Sequence, residues 1–269
     1  MSNIPAIIPA AGRGTRLRPI TRYLSKPMLP VGSNPVIAFA IEEALEAGCD
    51  PVIVVRSPGD GALRRYLEDE FQGSIRTCIQ EEPLGLAHAA LQGYRTFTGD
   101  SRCALLLPDN VVLDGTGIKP LLGVGHPDQL VLGTTEVPRE RAPYFGNSGR
   151  YIAEPCENNP NCEVVTGLQE KGSGSFTNAA DNWPARRAVA RTLVPPAFFE
   201  RTAEQSPDPS SGEIDDVPVY RAMIESSTAL GVPIDGDVYD MGTPERYLYL
   251  NSTVHKRTVG RQPEAIRSD

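Results

Sequence analysis

The chain has 269 residues, of which 40% are hydrophobic and 22% charged, and a formal net charge of −8 at pH 7. That length suits one large α/β domain or two small ones. The acidic balance argues against a nucleic-acid binder, and no apolar run is long enough for a membrane span. The N-terminus lacks the basic region and apolar core of an export signal, so a cytoplasmic protein is expected.

In chain order, apolar strand-like runs alternate with runs at helical spacing, the pattern of a mostly parallel sheet with helical crossovers. Residues 4–9 predict the first strand, 35–47 a helix closed by Gly48, and 51–55 a short buried strand. Residues 61–71 read as a helix, 75–80 as a strand, 86–94 as a helix, and 103–107 as a fully apolar strand ending at Pro108-Asp109-Asn110. A fifth strand covers 130–137. Beyond it the pattern loosens: 151–154, 163–168 and 188–194 read as strands, and 172–182, rich in Gly, Ser and Asn, as a mobile loop. Helices follow at 195–201 and 214–226, a short strand at 238–240, and a last helix opens over 244–251. From about Lys256 the periodicity stops, and a flexible tail over 256–269 is expected.

The five cysteines are odd in number and scattered. Cys49, Cys78 and Cys103 lie in or beside apolar runs and suit core thiols, while Cys156 and Cys162 flank a loop that a bridge could close only outside a reducing cytosol. His88, His126 and His255 are far apart and form no evident triad; no Cys/His spacing suggests zinc.

The chemistry concentrates in residues 9–31, Pro-Ala-Ala-Gly-Arg-Gly-Thr-Arg-Leu-Arg-Pro-Ile-Thr-Arg-Tyr-Leu-Ser-Lys-Pro-Met-Leu-Pro-Val. Gly12 and Gly14 let backbone N–H groups approach a polyphosphate, and Arg13, Arg16, Arg18 and Lys26 offset its charge. The run is neither a P-loop nor a dinucleotide fingerprint, because no Gly-Lys-Ser/Thr follows and Leu17 stands where a third glycine belongs. Ligands of parallel sheets sit outside the carboxyl ends of the strands. The glycine loop follows the first strand, Gln80 to Gly85 the third and Asp109 the fourth, so all three converge on one rim. By position alone, Asp109 fits a turn cap as well as a ligand-bound carboxylate, and so does Asp240 in Val-Tyr-Asp-Met-Gly-Thr-Pro.

The string G-x-G-T-R-L-x-P-x-T…K-P-M-L-P-V resembles the signature of the sugar-1-phosphate nucleotidylyltransferases, which include glucose-1-phosphate uridylyl- and thymidylyltransferases. The resemblance implies a Rossmann-like α/β/α three-layer sandwich with a mostly parallel central sheet, similar to the GT-A fold. It implies a single domain over 1–255, with a nucleotide-binding half of about 1–110 and a sugar-phosphate-binding half of about 111–255. The reaction it implies is attack of a sugar-1-phosphate oxygen on the α-phosphorus of a nucleoside triphosphate, with pyrophosphate leaving. In such a reaction the difficulty is electrostatic, and cations with Mg²⁺ supply the stabilisation.

By the same resemblance, Arg16 and Lys26 hold the triphosphate, and Ala10, Ala11, Gly12, Gly14 and Thr15 line the nucleotide. Gln80, Pro83 and Gly85, in a Q…P-x-G-L-x-x-A segment, read the base, with the Gly85 backbone lying against it. Asp109 and Asp240 hold Mg²⁺. Glu170 and Lys171 match an E-K-P segment, with Gly172 in place of the proline, in which Lys grips the acceptor phosphate and Glu the sugar hydroxyls. Gly146 and Val189 match positions that approach the sugar. His88 reads as a helix residue rather than a catalyst, and Arg13 and Arg18 fit solvated loop cations equally well.

UTP is favoured, with dTTP next and glucose-1-phosphate as the type acceptor. The unusual stretch 172–191, including Trp183-Pro184-Ala185-Arg186-Arg187, leaves the sugar open. Two other readings stand: a cytidylyl- or guanylyltransferase acting on another sugar, cyclitol or polyol phosphate, and a non-catalytic nucleotide-sugar-binding regulator. The expected partners are the two substrates, with no nucleic acid or membrane; a homo-oligomer is compatible by analogy.

Overall fold

A computed structural model describes residues 4–97, 101–140, 151–157, 159–168 and 185–260. The first part of the chain forms β1 (Ala6–Pro9), a small hairpin of β2 (Pro30–Val31) and β3 (Asn34–Pro35), α1 (Val36–Glu46), β4 (Val52–Arg56), α2 (Gly61–Glu70), β5 (Arg76–Ile79), α3 (Leu86–Tyr94) and β6 (Cys103–Leu106). The second part forms β7 (Asn110–Leu113), β8 (Val131–Val137), β9 (Tyr151–Pro155), β10 (Glu163–Leu168), β11 (Ala185–Val194), α4 (Pro196–Ala203), α5 (Val217–Ser226), β12 (Ala229–Pro233), β13 (Asp237–Asp240) and α6 (Pro244–Gly260).

Among the described residues, the main sheet runs in the order β5-β4-β1-β6-β11-β8-β12-β10-β9. The β5-β4-β1-β6 portion is wholly parallel. In the rest, β11 lies antiparallel to both β6 and β8, β12 parallel to β8, and β10 antiparallel to β12 and β9. Side chains alternate faces along each strand. Ala6 and Ile8, Val52 and Val54, Ala104 and Leu106 therefore pack under Ile37 and Ile41 of α1 and Leu63 and Leu67 of α2. Ile7, Ile53, Val55 and Leu105 pack against Ala90 of α3, Phe198 and Phe199 of α4 and Met223 of α5. The result is the expected α/β/α sandwich. A third cluster ties Leu17 and Leu29 of the glycine-loop region to Val111, Tyr239, Met241, Tyr247 and Leu250.

The structure departs from the sequence-based expectation in three places. Asn110–Leu113 is a strand, paired antiparallel with β13; Pro108-Asp109-Asn110 looks like a stop but is a tight turn, closed by Asn110 N donating to Leu107 O at 3.2 Å. Ala229–Pro233 is also a strand, although Gly231 and Pro233 give it the composition of a loop. Finally, α6 continues to Gly260, so residues 256–260 are helical rather than tail. The expected mobile loop at 172–182 lies outside the described residues. All five cysteines are free.

A bulge in β11 between Val189 and Thr192 sets Arg191 apart. Arg191 is fully buried and forms a two-pronged pair with Glu43 of α1, Nε to Oε1 and Nη2 to Oε2, both at 2.7 Å. Its Nη1 donates to Leu107 O at 3.0 Å, just before Asp109. Glu43 Oε1 also accepts from Ile118 N at 2.7 Å. A buried pair with this much hydrogen bonding fixes geometry; removing one partner strands the other, at about 3–5 kcal/mol.

Candidate active site

The glycine loop folds back on itself. Gly14 has φ +61°, and a Cβ there would sit 3.1 Å from Lys26 Cβ and 3.2 Å from Thr21 Cγ2. The Thr21 hydroxyl donates to Gly14 O at 2.7 Å. Short helical turns at Thr15–Leu17 and Lys26–Met28 follow, anchored by buried Leu17 and Pro27. These turns carry Arg16 and Lys26 on one loop. Gly12, by contrast, has no atom within 4 Å of where a Cβ would be, so its surroundings stay open to a ligand.

Lys26 Nζ lies 2.5 Å from Asp109 Oδ2, and Asn110 Nδ2 donates to Asp109 Oδ1 at 3.2 Å. Burial alone would raise the Asp109 carboxyl. The charge and hydrogen bond of Lys26, with help from Asn110 and Arg16, outweigh it and hold the pKa at about 2. Asp240 sits on the neighbouring rung: it pairs in register with Asn110, and Met241 N donates to Asp109 O at 2.9 Å. Asp240 Oδ1 accepts from Gly242 N at 2.7 Å, and Oδ2 receives Arg246 Nη1 at 3.0 Å with Arg187 Nη1 3.9 Å away. The two carboxylates predicted to work together are thus adjacent, each held by a cation.

Two cavities are lined by the predicted site residues. The larger, about 580 Å³, is lined by Ala11, Gly12, Gln80 and Pro83 together with the Arg22-Tyr23 and Ser57–Ala62 segments. The smaller, about 300 Å³, is lined by Arg16, Asp109, Asp240 and Val189. Ala10 is buried, its N–H donating to Val55 O at 2.7 Å, and Thr15 is exposed at the start of its turn. Gly146, Glu170 and Lys171 lie outside the described residues.

Gly85 has a further reason to be glycine beside the one expected. Its φ is +93°, and a Cβ would meet Glu213 Cβ at 2.8 Å and Ile214 O at 3.0 Å. The Gly-Glu-Ile segment packs directly behind the Gln80–Gly85 loop, with Ile214 N donating to Leu84 O at 2.7 Å.

The smaller cavity also holds residues that sequence reasoning missed: Arg187, Arg246, Asp216 and Tyr220. Arg187 is 1% exposed, and its Nη2 donates to Asn110 Oδ1. Burial, then the Asp216 charge, raises the Tyr220 hydroxyl, with a bond to Thr192 opposing. The only sequence signal was the Arg186-Arg187 pair in a stretch already marked as unusual.

A model of the family described as "Nucleotidyl transferase" matches residues 5–171, which span the glycine loop, Gln80 and Asp109. The chain belongs to the nucleotidyl transferase family. It is therefore a nucleotidyltransferase, and members of this family generally use a divalent metal. The chain is 29% identical over 279 residues to the UTP–glucose-1-phosphate uridylyltransferase of Bacillus subtilis (strain 168), covering 93% of this chain and 89% of that one. It is also 29% identical over 282 residues to the enzyme of the same name from Staphylococcus haemolyticus, covering 93% and 90%. Its fold is similar to an apo UDP-glucose pyrophosphorylase (TM-score 0.77, 24% identity, 95% and 99% covered). It is likewise similar to a UTP-bound enzyme of that type from Acinetobacter baumannii (TM-score 0.74, 21% identity, 97% and 95% covered). Among the described residues, no helix is long and apolar enough to cross a membrane.

Proposed function

We propose that this nucleotidyltransferase transfers a uridylyl group from UTP, or a thymidylyl group from dTTP, to a hexose-1-phosphate such as glucose-1-phosphate, releasing pyrophosphate. The observation that carries the reading is the adjacency of Asp109 and Asp240, with Lys26 against Asp109, in the wall of the smaller cavity. The names of the uridylyltransferase relatives support the choice of base and acceptor.

The larger cavity takes the nucleotide: Gly12 leaves room for phosphate against the backbone, and Gln80 faces the base. The smaller takes the acceptor, with Arg16 in its wall. Asp109 and Asp240 offer hard carboxylate oxygens on neighbouring rungs, a donor set that suits Mg²⁺, which takes few protein ligands and fills its shell with phosphate and water. Bound there, Mg²⁺ would neutralise charge on the reacting phosphates. Lys26 and Arg16 face the triphosphate and stabilise the charge that grows on departing pyrophosphate. The acceptor phosphate is already an anion, so its oxygen attacks the α-phosphorus without a general base while the bond to the bridging oxygen breaks. Arg187, with Lys171, holds that anion in line against the repulsion between the two substrates.

The test is pyrophosphate release over UTP, dTTP, CTP, GTP and ATP with a panel of sugar, cyclitol and polyol phosphates. Release with UTP or dTTP and a hexose-1-phosphate is the expected result. Turnover confined to CTP or GTP moves the assignment to the other nucleotidyl donors, and nucleotide-sugar binding without turnover to a regulator.

A further inference from the structure

His88 belongs to no catalytic set, yet it sits at the centre of a hydrogen-bond chain that ends in the nucleotide cavity. Gln80 is 4% exposed and lines that cavity. Its Nε2 donates to Gly85 O at 3.0 Å and lies 2.9 Å from His88 Nδ1. One turn further along α3, Gln92 Nε2 lies 2.8 Å from His88 Nε2.

These contacts determine one another. A carbonyl oxygen only accepts, so Gly85 O requires the nitrogen, not the oxygen, of the Gln80 amide at that position. The second N–H of the same nitrogen then points at His88 Nδ1, which must be the unprotonated acceptor. A neutral imidazole carries its proton on the other nitrogen, so Nε2 is the donor, and the Gln92 amide must be turned from the placement that sets its Nε2 there so that its oxygen accepts. Burial first, and Arg95 second, hold His88 below its ordinary pKa, while the charge and carbonyl of Glu82 pull the other way. Both N–H groups of Gln80 are thereby committed. Among the described residues its Oε1 has no hydrogen-bond partner, which leaves a bare acceptor for the ligand.

We infer that His88, acting through Gln80 and together with the Gly85 carbonyl, sets the base preference of the larger cavity, the second anchor that holds the Gln80 amide with its oxygen toward the base so that an imino N–H is required. Uracil and thymine carry that donor at N3. Cytosine presents a lone pair there, which would face the lone pairs of Oε1. A glutamine free to turn would read either base; one anchored at both hydrogens reads only the first. His88 is a positioning residue, and the inference rests on the proposed nucleotide role of this cavity.

The experiment measures UTP and CTP affinity by calorimetry with Mg²⁺ for the wild-type chain and His88→Leu, and the ring tautomer of His88 by long-range ¹H–¹⁵N correlation. The wild type should bind UTP in clear preference to CTP and show the Nε2–H tautomer. His88→Leu should narrow the UTP-to-CTP ratio about tenfold or more, chiefly by improving CTP, since one anchoring hydrogen bond is lost. An unchanged ratio in a folded variant, or the Nδ1–H tautomer in the wild type, overturns the inference while leaving the nucleotide cavity in place. If His88→Leu does not fold, the tautomer decides. Failure of the wild type to bind either pyrimidine nucleotide sinks the reading of the cavity as well.

Discussion

The β5-β4-β1-β6 portion of the sheet and the β11-β8-β12-β10-β9 portion bring their functional groups to the rim by different means. In the first, every strand points the same way and the strands themselves are mostly apolar, so ligand-facing groups come from the loops at their carboxyl ends. Much of what those loops offer is backbone: Gly12, Gly14 and the turn at Gly85. In the second, β11 runs in reverse, and its early residues reach past the end of β6, where Leu107 N bonds to Ala190 O at 3.1 Å. There the rim is met by strand side chains, Arg187 above all. A site made of loop backbone tolerates change in neighbouring side chains; one made of strand side chains can be retuned by a single substitution. In the proposed division of labour, the donor side is thus the conservative one and the acceptor side the adaptable one.

The comparison breaks most directly at the seam. Asp109→Asn keeps the shape of the turn but removes the charge that Lys26 pairs with, and turnover should fall on the order of 10³-fold, about 4 kcal/mol, with the melting profile preserved. Near-normal rates would show that the seam is not where the chemistry happens. Next is Arg191→Met, which strands Glu43 inside the protein. Denaturant unfolding should report a loss of about 3 kcal/mol, and the damage should be structural rather than selective for one substrate. The smallest expected effect sharpens the comparison most. Arg187→Leu should raise KM for the acceptor about tenfold, roughly 1.4 kcal/mol, with KM for the nucleoside triphosphate unchanged. Equal effects on both substrates would mean that Arg187 serves the whole rim and not the acceptor side.

The same contrast explains what could be read from the chain. The first portion is legible because its information is local: a strand, a glycine turn and a run of cations follow one another within residues 4–31, and Asp109 directly ends an apolar strand. In the structure the loop and the strand end are brought together, with Lys26 reaching Asp109 across 83 positions of sequence. Arg187, Arg246 and Asp216 were not legible, because they meet only through the reversed β11, the start of α6 and the residue before α5. Nothing at positions 187 or 246 distinguishes a buried arginine from a solvated one until Asp240 is seen between them. The strand Asn110–Leu113 was hidden for a related reason: its partner, β13, lies more than a hundred residues away, and a proline and an asparagine mask its beginning.

The packing of Glu213 and Ile214 behind Gly85 ties the Gln80–Gly85 turn to the smaller cavity. The segment that props up that turn leads directly into Asp216, which lines the smaller cavity. On the proposed division of labour, a strut of a few residues thus joins the two chambers, and the order in which substrates arrive is expected to depend on this joint as well as on either chamber.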